Sequence, residues 1–348
     1  MIICSRCGRV SEGGWQCECG GPLEIREERG FTPGELNQLT SLWRYQSYMG
    51  TEPAVTFHEG YTPLVEIDGI QYKLDFLFPT GSFKDRGTTV MMSALKRAGI
   101  TDIVEDSSGN AGASVAAYAT RAGIQAIIFV PDYASCGKIA QIEAFGARIV
   151  KVKGSREDTQ KAALSRVGEV FYASHQWNPY FLAGMKTVAY EICEQRNWQP
   201  PQTVVIPVGS GSLFYGAYLG FLHLQQSGIV KTIPEMIGVE PELCSPVYNE
   251  LHTIQGDCEK SVAEGLLVEH PPRMKEIVAM VREHGDLVLV SEEAIRTGLK
   301  QALKKGLFIE PTSAVVFAAL TQLSRKEDVV CVLTGSGLKA VQELGALL

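Results

Sequence analysis

The chain has 348 residues, 45% of them hydrophobic and 20% charged, proportions of a globular protein long enough for two domains and a sizeable core. Its 32 basic and 39 acidic residues leave a formal net charge of −7, which argues against a nucleic-acid surface. Apolar runs recur along the whole length and argue against extended disorder.

The N-terminal stretch MIICSRCGRV leads straight into a cysteine pattern and carries no apolar signal-peptide core. Cys4, Cys7, Cys17 and Cys19 form two close pairs, each followed by glycine. Such knuckles aim four thiolates at one point, the tetrahedral set that zinc accepts, and four cysteines leave no open position for catalysis. The second pair is Cys-x-Cys, a departure from the strongest zinc spacing, so a metal-free ribbon is the alternative. The other cysteines, Cys136, Cys193, Cys244, Cys258 and Cys331, are scattered, and a reducing, cytoplasmic compartment is expected.

Residues 24–60 read as a linker and entry segment, with charge at Glu27, Glu28 and Arg29. Helical and strand-like pieces then alternate: a helical run at Thr88–Arg97, a strand at Thr101–Glu105, an Ala-rich helix at Ala111–Ala122 and a buried strand at Gln125–Val130. A helix at Lys138–Phe145 and a strand at Ala147–Lys151 follow. Residues 197–230 carry no formal charge, yet their prolines and glycines read as strand, glycine loop and helix, not as a membrane span. Strands at Thr203–Val208, Ile237–Val239 and Val329–Leu333 complete the pattern. This alternation predicts an α/β fold with largely parallel sheets.

Four clusters bear chemistry. Pro79–Gly87 reads PTGSFKDRG and sets Lys84 between a turn and a helical run; a lysine in a buried pocket loses its charge readily and can attack a carbonyl. Ser107-Ser108-Gly109-Asn110-Ala111-Gly112 follows a strand and opens a helix, where backbone N–H groups bind anions; a plain helix cap is the bland alternative. Val208-Gly209-Ser210-Gly211-Ser212-Leu213 has the same setting and suits a phosphate. It lacks the Gly-Lys-Ser/Thr ending of a P-loop, and Phe214 stands at the third glycine of a dinucleotide fingerprint. Leu333-Thr334-Gly335-Ser336-Gly337-Leu338-Lys339 follows the last strand; a strand-to-helix turn is the bland alternative to a functional reading in which Thr334 offers its hydroxyl to a ring nitrogen. The six histidines form no metal spacing and are read as structural or surface residues, with His175, in SHQWNP, the one to watch.

Taken in this order, the four clusters resemble the pyridoxal-phosphate enzymes of the tryptophan synthase β-like fold (fold type II), and within them the threonine synthase family. EGYTPL at 59–64, EPTSA at 310–314 and the four-Cys ribbon are in the same style. The resemblance implies an α/β, tryptophan synthase β-like architecture with a zinc-ribbon-like module at 1–28. A large cofactor-binding domain would span 29–98 and 190–348, and a small mobile domain 99–189. It implies pyridoxal 5′-phosphate joined to Lys84 as a Schiff base, with Lys84 also the main proton shuttle. Asn110 would face the cofactor's ring hydroxyl oxygen, Gly209, Ser210, Gly211 and Ser212 its phosphate, and Thr334 its ring nitrogen. Ser107, Ser108, Gly109 and Ala111 would hold the substrate carboxylate, and Cys4, Cys7, Cys17 and Cys19 a structural zinc. A homodimer and a small amino-acid substrate are implied, with no nucleic-acid or membrane partner.

Threonine synthases convert O-phospho-L-homoserine and water to L-threonine and phosphate, and the resemblance implies that reaction. The family generally carries an Asn-Pro-x-Arg string whose arginine helps bind the substrate's phosphate. Here the string is Asn178-Pro179-Tyr180-Phe181, and phenylalanine offers nothing like an arginine fork. A paralogue acting as a serine/threonine dehydratase or a β-replacement enzyme is the competing expectation. A non-catalytic cofactor-binding regulatory protein is a further one, against which an intact Lys84 argues.

Overall fold

The structure is a computed structural model that describes residues 1–134, 136–324 and 327–347; the side chains of residues 136–138, 343 and 346, Cys136 and Lys138 among them, lie outside the described set. Three short strands open the chain, β1 (Ile2–Cys4), β2 (Val10–Ser11) and β3 (Leu23–Ile25), and a hairpin follows, β4 (Leu64–Ile67) and β5 (Ile70–Lys73). An alternating run comes next: α1 (Lys84–Arg97), β6 (Asp102–Glu105), α2 (Asn110–Ala122), β7 (Gln125–Pro131), α3 (Cys136–Ala144), β8 (Arg148–Val152), α4 (Arg156–Leu164) and β9 (Phe171–Tyr172). After α5 (Pro179–Gln195) come β10 (Thr203–Pro207), α6 (Ser212–Gln226), β11 (Glu235–Pro241), α7 (Pro246–His252) and α8 (Met274–His284). The chain ends with β12 (Gly285–Val290), α9 (Glu292–Lys304), α10 (Pro311–Leu320), β13 (Val329–Val332) and α11 (Val341–Leu347).

These elements make two compact units. One comprises residues 1–28, 37–60 and 84–184. Its four-stranded sheet has the order β8-β7-β6-β9, all parallel, and its ribbon has the order β2-β1-β3, all antiparallel. Helical crossovers cover a parallel sheet on both faces, and β7 accordingly reads as the near-continuous apolar run QAIIFVP. Helix α2 ends at Gly123, whose φ of 75° lets its N–H reach back to the carbonyls of Ala119 and Thr120. Trp15 of the ribbon packs edge-on against Tyr172 and Trp177, at 5.1 and 5.6 Å between ring centroids.

The other unit comprises residues 29–36, 61–83 and 185–348. Its six-stranded sheet runs β12-β11-β10-β13-β5-β4, parallel except for the β4–β5 hairpin. That hairpin turns on Asp68-Gly69, both at positive φ, the pairing that a tight two-residue turn requires. Helix α10, apolar on every side, is buried against β10, β11, β12 and β13. Leu299, Phe317, Val239 and Cys331 belong to the same fully enclosed core.

The expected strands and helices form within two residues of the predicted bounds, except that α1 begins at Lys84, four residues before the expected Thr88. Strand β12 was not foreseen. The stretch 24–60 differs from a linker: Phe31, Trp43, Tyr45 and Tyr48 are all buried, because large aromatic surfaces gain more from packing than charge at 27–29 can offset. Cys244 and Cys258, read as isolated, are joined as a disulfide, their 14-residue separation closing the loop after β11. Among the described residues, no helix is long and apolar enough to cross a membrane.

Candidate active site

Lys84 is the first residue of α1, half-buried. Its helix is fixed to α2 by a chain of hydroxyls: Ser114 Oγ donates to Asp85 Oδ1 at 2.6 Å and lies 2.8 Å from Thr88 Oγ1, which donates to the Lys84 carbonyl at 3.0 Å. A buried hub braces the other end. The Glu59 carboxylate accepts from Trp43 Nε1 (3.0 Å), Thr89 Oγ1 (2.7 Å), Thr56 Oγ1 (3.0 Å), the Phe57 N–H (2.6 Å) and Tyr118 Oη (3.1 Å). The lysine that opens α1 and the asparagine that opens α2 therefore stand on helices held in register by buried side chains.

The loop Asp106–Gly109 leaves the carboxyl end of β6, and Asn110 is the first residue of α2. Ligands of parallel sheets bind beyond that edge, and the first N–H groups of a helix have no partner within it. Gly112 is required here: a Cβ would stand 1.9 Å from the Ser107 carbonyl oxygen. Ser107, Ser108, Gly109 and Asn110 are all partly exposed, so this turn can reach a ligand, and Ala111 behind it is buried.

Two residues that the motif reading did not assign sit at the same edge. Glu105 ends β6 and is fully buried; its Oε1 lies 2.6 Å from Nδ1 of buried His175. Burial pushes the Glu105 carboxyl well above the ordinary carboxylate range; the Asp106 charge adds to this, and Arg156 and Lys84 oppose it. Burial holds His175 well below the ordinary imidazole value, and the Lys84 and Arg156 cations push the same way. Asp106 is anchored separately, by Tyr172 Oη at 2.8 Å and Arg156 at 2.8 Å. The sequence did hold a signal, since two adjacent carboxylates end an apolar strand.

Phe181, at the position where an arginine was expected, is fully buried in α5, with its ring 5.9 Å from that of His175. Asn178 caps the helix with its side-chain oxygen, accepting from the N–H groups of Tyr180 and Phe181. Arg86 and Lys186 are both buried.

In the other unit, Gly209, Ser210 and Gly211 link β10 to α6, which Ser212 opens. Gly211 has φ 75°, and a Cβ there would stand 2.1 Å from Ile277 Cδ1. Ser210 and Ser212 hold their hydroxyls 3.2 Å apart. Glycines and hydroxyls before an uncapped helix suit a phosphate. Thr334 follows β13; its N–H donates to Ser313 Oγ at 2.9 Å and its carbonyl accepts from the Phe83 N–H at 2.9 Å. Its Oγ1 is buried and has no hydrogen-bond partner among the described residues. A buried hydroxyl without a partner is what a heteroaromatic ring nitrogen would satisfy. The Glu310 carboxylate lies against Gly335, where any Cβ would meet it at 2.1 Å. Lys84 and Ser107–Ala111 belong to one unit, and Gly209–Ser212 and Thr334 to the other.

The four ribbon cysteines converge. Their sulfurs all lie within 4.8 Å of one another, Cys4 to Cys19 at 3.5 Å and Cys7 to Cys17 at 3.7 Å. Tetrahedral Zn–S bonds of ~2.3 Å place sulfurs ~3.8 Å apart, so the residues fit a structural zinc. Burial raises the Cys4 thiol, but the facing backbone N–H groups of Cys7 and Arg6 and the neighbouring thiols outweigh it and bring the group to about 7.

The chain matches the family model described as pyridoxal-phosphate dependent enzyme over residues 55–335. It is 31% identical over 372 aligned positions to the threonine synthase of Methanocaldococcus jannaschii, covering 97% of this chain and 92% of that protein. To the threonine synthase of Synechocystis sp. it is 34% identical over 319 positions, covering 84% and 81%. Among solved structures it resembles maize serine racemase (TM-score 0.73, 21% identity, 88% and 96% covered). It also resembles threonine deaminase isoform 2 of Solanum lycopersicum (TM-score 0.71, 23% identity, 92% and 98% covered). The architecture is therefore α/β of the tryptophan synthase β-like type, PLP fold type II.

Proposed function

The chain belongs to the pyridoxal-phosphate-dependent enzymes, within the threonine synthase family, and from that premise we propose that it is a carbon–oxygen lyase that removes the side-chain hydroxyl of L-serine or L-threonine. Lys84 would hold the cofactor covalently, Gly209, Ser210, Gly211 and Ser212 its phosphate, Asn110 its ring hydroxyl oxygen and Thr334 its ring nitrogen. Held by these residues, pyridoxal phosphate would supply the electron sink for the carbanion chemistry. Lys84 Nζ would take up the substrate's α-proton. A neutral hydroxyl at Thr334 cannot keep the ring nitrogen protonated as a carboxylate would, which favours rapid elimination over transamination. The N–H groups of Ser108, Gly109 and Ala111, with the Ser107 hydroxyl, orient the substrate carboxylate at the start of α2. Cys4, Cys7, Cys17 and Cys19 would hold a structural zinc outside the chemistry.

The observation that carries the substrate reading is Phe181. A fully buried phenylalanine against His175 supplies no donor to a phosphate leaving group. A second reading, the synthase reaction on O-phospho-L-homoserine, is supported by identity to relatives named threonine synthase over almost the whole chain. Arg86 or Lys186 would then have to bind the phosphate.

The two readings separate in one assay. The cofactor-loaded protein is given L-serine, L-threonine and O-phospho-L-homoserine in turn, and pyruvate, 2-oxobutyrate, phosphate and threonine are measured. Keto acid from serine or threonine is expected. Phosphate release with threonine formation, and no keto acid, overturns the dehydratase reading in favour of the synthase. Cofactor absorbance with no product from any of the three leaves a binding protein.

A further inference from the structure

Strands β6 and β9 are parallel neighbours, with Ile103 opposite Phe171 and Val104 opposite Tyr172. The pairing continues one step, as the Ala173 N–H donates to the Val104 carbonyl at 2.8 Å. Glu105 and His175 therefore leave the sheet side by side, at its carboxyl edge, beside the turn that opens α2. Lys84 is close enough for its charge to act on both. Glu105 Oε1 meets His175 Nδ1 at 2.6 Å, whereas Glu105 Oε2, equally buried, has no hydrogen-bond partner among the described residues. A purely structural carboxyl at this depth would have both oxygens satisfied.

We infer that Glu105, positioned by His175, is the acid that protonates the departing side-chain oxygen of the substrate. The inference rests on the lyase reading above and deepens it. With Asp106, Arg156, Lys84 and His175 all facing it, burial shifts Glu105 toward its neutral acid form and His175 toward its neutral imidazole. His175 Nδ1–H then donates to Oε1, which leaves the acid proton on Oε2, the atom without a partner among the described residues. As the substrate's Cβ–O bond breaks, its electron pair goes to the oxygen. That oxygen takes the Oε2 proton and departs as water. Glu105 remains as a carboxylate held by His175, and the proton lifted from Cα by Lys84 Nζ returns to it. The net change is loss of one water from the substrate, with no oxidant or reductant involved; hydrolysis of the dehydrated amino acid then yields keto acid and ammonia.

The test compares two leaving groups on one variant. A hydroxyl needs a proton to depart and a chloride does not. Glu105→Gln should lower kcat/KM for L-serine by ~10²–10⁴-fold, the usual contribution of a general acid, and that for β-chloro-L-alanine by at most ~10-fold. Active-site content, titrated by cofactor absorbance, normalises both rates, so partial misfolding cancels. Glu105→Asp should recover part of the serine rate. His175→Phe should lower the serine-to-chloroalanine ratio, and His175→Asn, which still offers an N–H to Oε1, should restore most of it. Independently of turnover, nitrogen-15 NMR of the intact protein should show His175 neutral and protonated on Nδ1 at pH ~6, below the ordinary histidine midpoint of ~6.5. An imidazolium there, or equal losses for both substrates in Glu105→Gln, overturns the assignment of the acid while the lyase reading stands. A wild-type protein that eliminates chloride but makes no keto acid from serine or threonine sinks the lyase substrate and the acid together.

Discussion

Gly112→Ala probes the turn that is expected to hold the substrate carboxylate. In a bare helix the change is favourable, worth ~1 kcal/mol. Here the added methyl would stand 1.9 Å from the Ser107 carbonyl oxygen and 3.0 Å from Ile142 Cδ1. Real Cβ contacts do not fall below 3.0 Å, so the carbonyl must recede by about 1.1 Å. It is backbone and cannot rotate away as a side chain would. Overpacking of this kind costs ~1–3 kcal/mol, which against the helix gain leaves a net destabilisation of roughly 0–2 kcal/mol. The displacement matters more than the stability, because a shift of ~1 Å in a positioning element can cost ~100-fold in rate. The expected result is kcat/KM for keto-acid formation from L-serine down ~100-fold with the protein folded and cofactor-loaded. Ala117→Gly, elsewhere in α2, is the control; it loses helix propensity of ~1 kcal/mol and keeps its activity. Wild-type kcat/KM in Gly112→Ala would refute the placement of the substrate on this turn.

Lys73 and Glu191 form a fully buried ion pair at 2.6 Å, with Lys73 Nζ also donating to the Thr62 carbonyl and Gln195 Oε1. Lys73→Met leaves a buried carboxylate without its cation and should cost ~3–5 kcal/mol by denaturant unfolding; a loss below ~1 kcal/mol would show the pair to be expendable. Thr334→Val should leave folding stability unchanged, because Oγ1 has no hydrogen-bond partner among the described residues, and weaken cofactor binding by ~0.5–1.5 kcal/mol, or roughly 2- to 13-fold. Equal affinity in a spectrophotometric titration would remove Thr334 from the cofactor site. Burial raises the Glu240 carboxyl to about 7, against opposing N–H donors from Tyr248 and Val247. The folded state then holds a proton that the unfolded state loses at ~4.3, so stability should be highest below that value, fall as pH rises toward 7, and level off above it. Glu240→Gln should flatten this slope in melts taken between pH 5 and 8, and an unchanged slope would contradict the shift. Elemental analysis should find one zinc per chain, lost in Cys7→Ser; a metal-free wild-type ribbon would return the four cysteines to an unmetallated module.

Residues whose chemistry is local were legible in the sequence. Gly211 is read from its loop because only glycine fits a positive φ with Ile277 so near, and Lys84 from the string around it. The parallel strands showed as apolar runs followed by glycine or polar turns. Residues that acquire meaning from pairing were not legible. Glu105 and His175 lie 70 positions apart, and nothing in either local string says that adjacent strands will join them. Glu59 looks like one more residue of EGYTPL until five donors converge on its carboxylate. Lys73 and Glu191 lie 118 positions apart, and only the fold buries them together as an ion pair. Phe181 was legible as a departure from a family string, but its burial against the His175 ring was not.

One lysine, Lys84, carries the proposed chemistry. Borohydride reduction of the protein loaded with pyridoxal phosphate, followed by proteolysis and mass spectrometry, fixes the cofactor to whatever amine holds it. The predicted label lies on the peptide PTGSFKDRG, at Lys84 alone. A label on Lys73, Lys186 or Lys339, or no label at all, would contradict it.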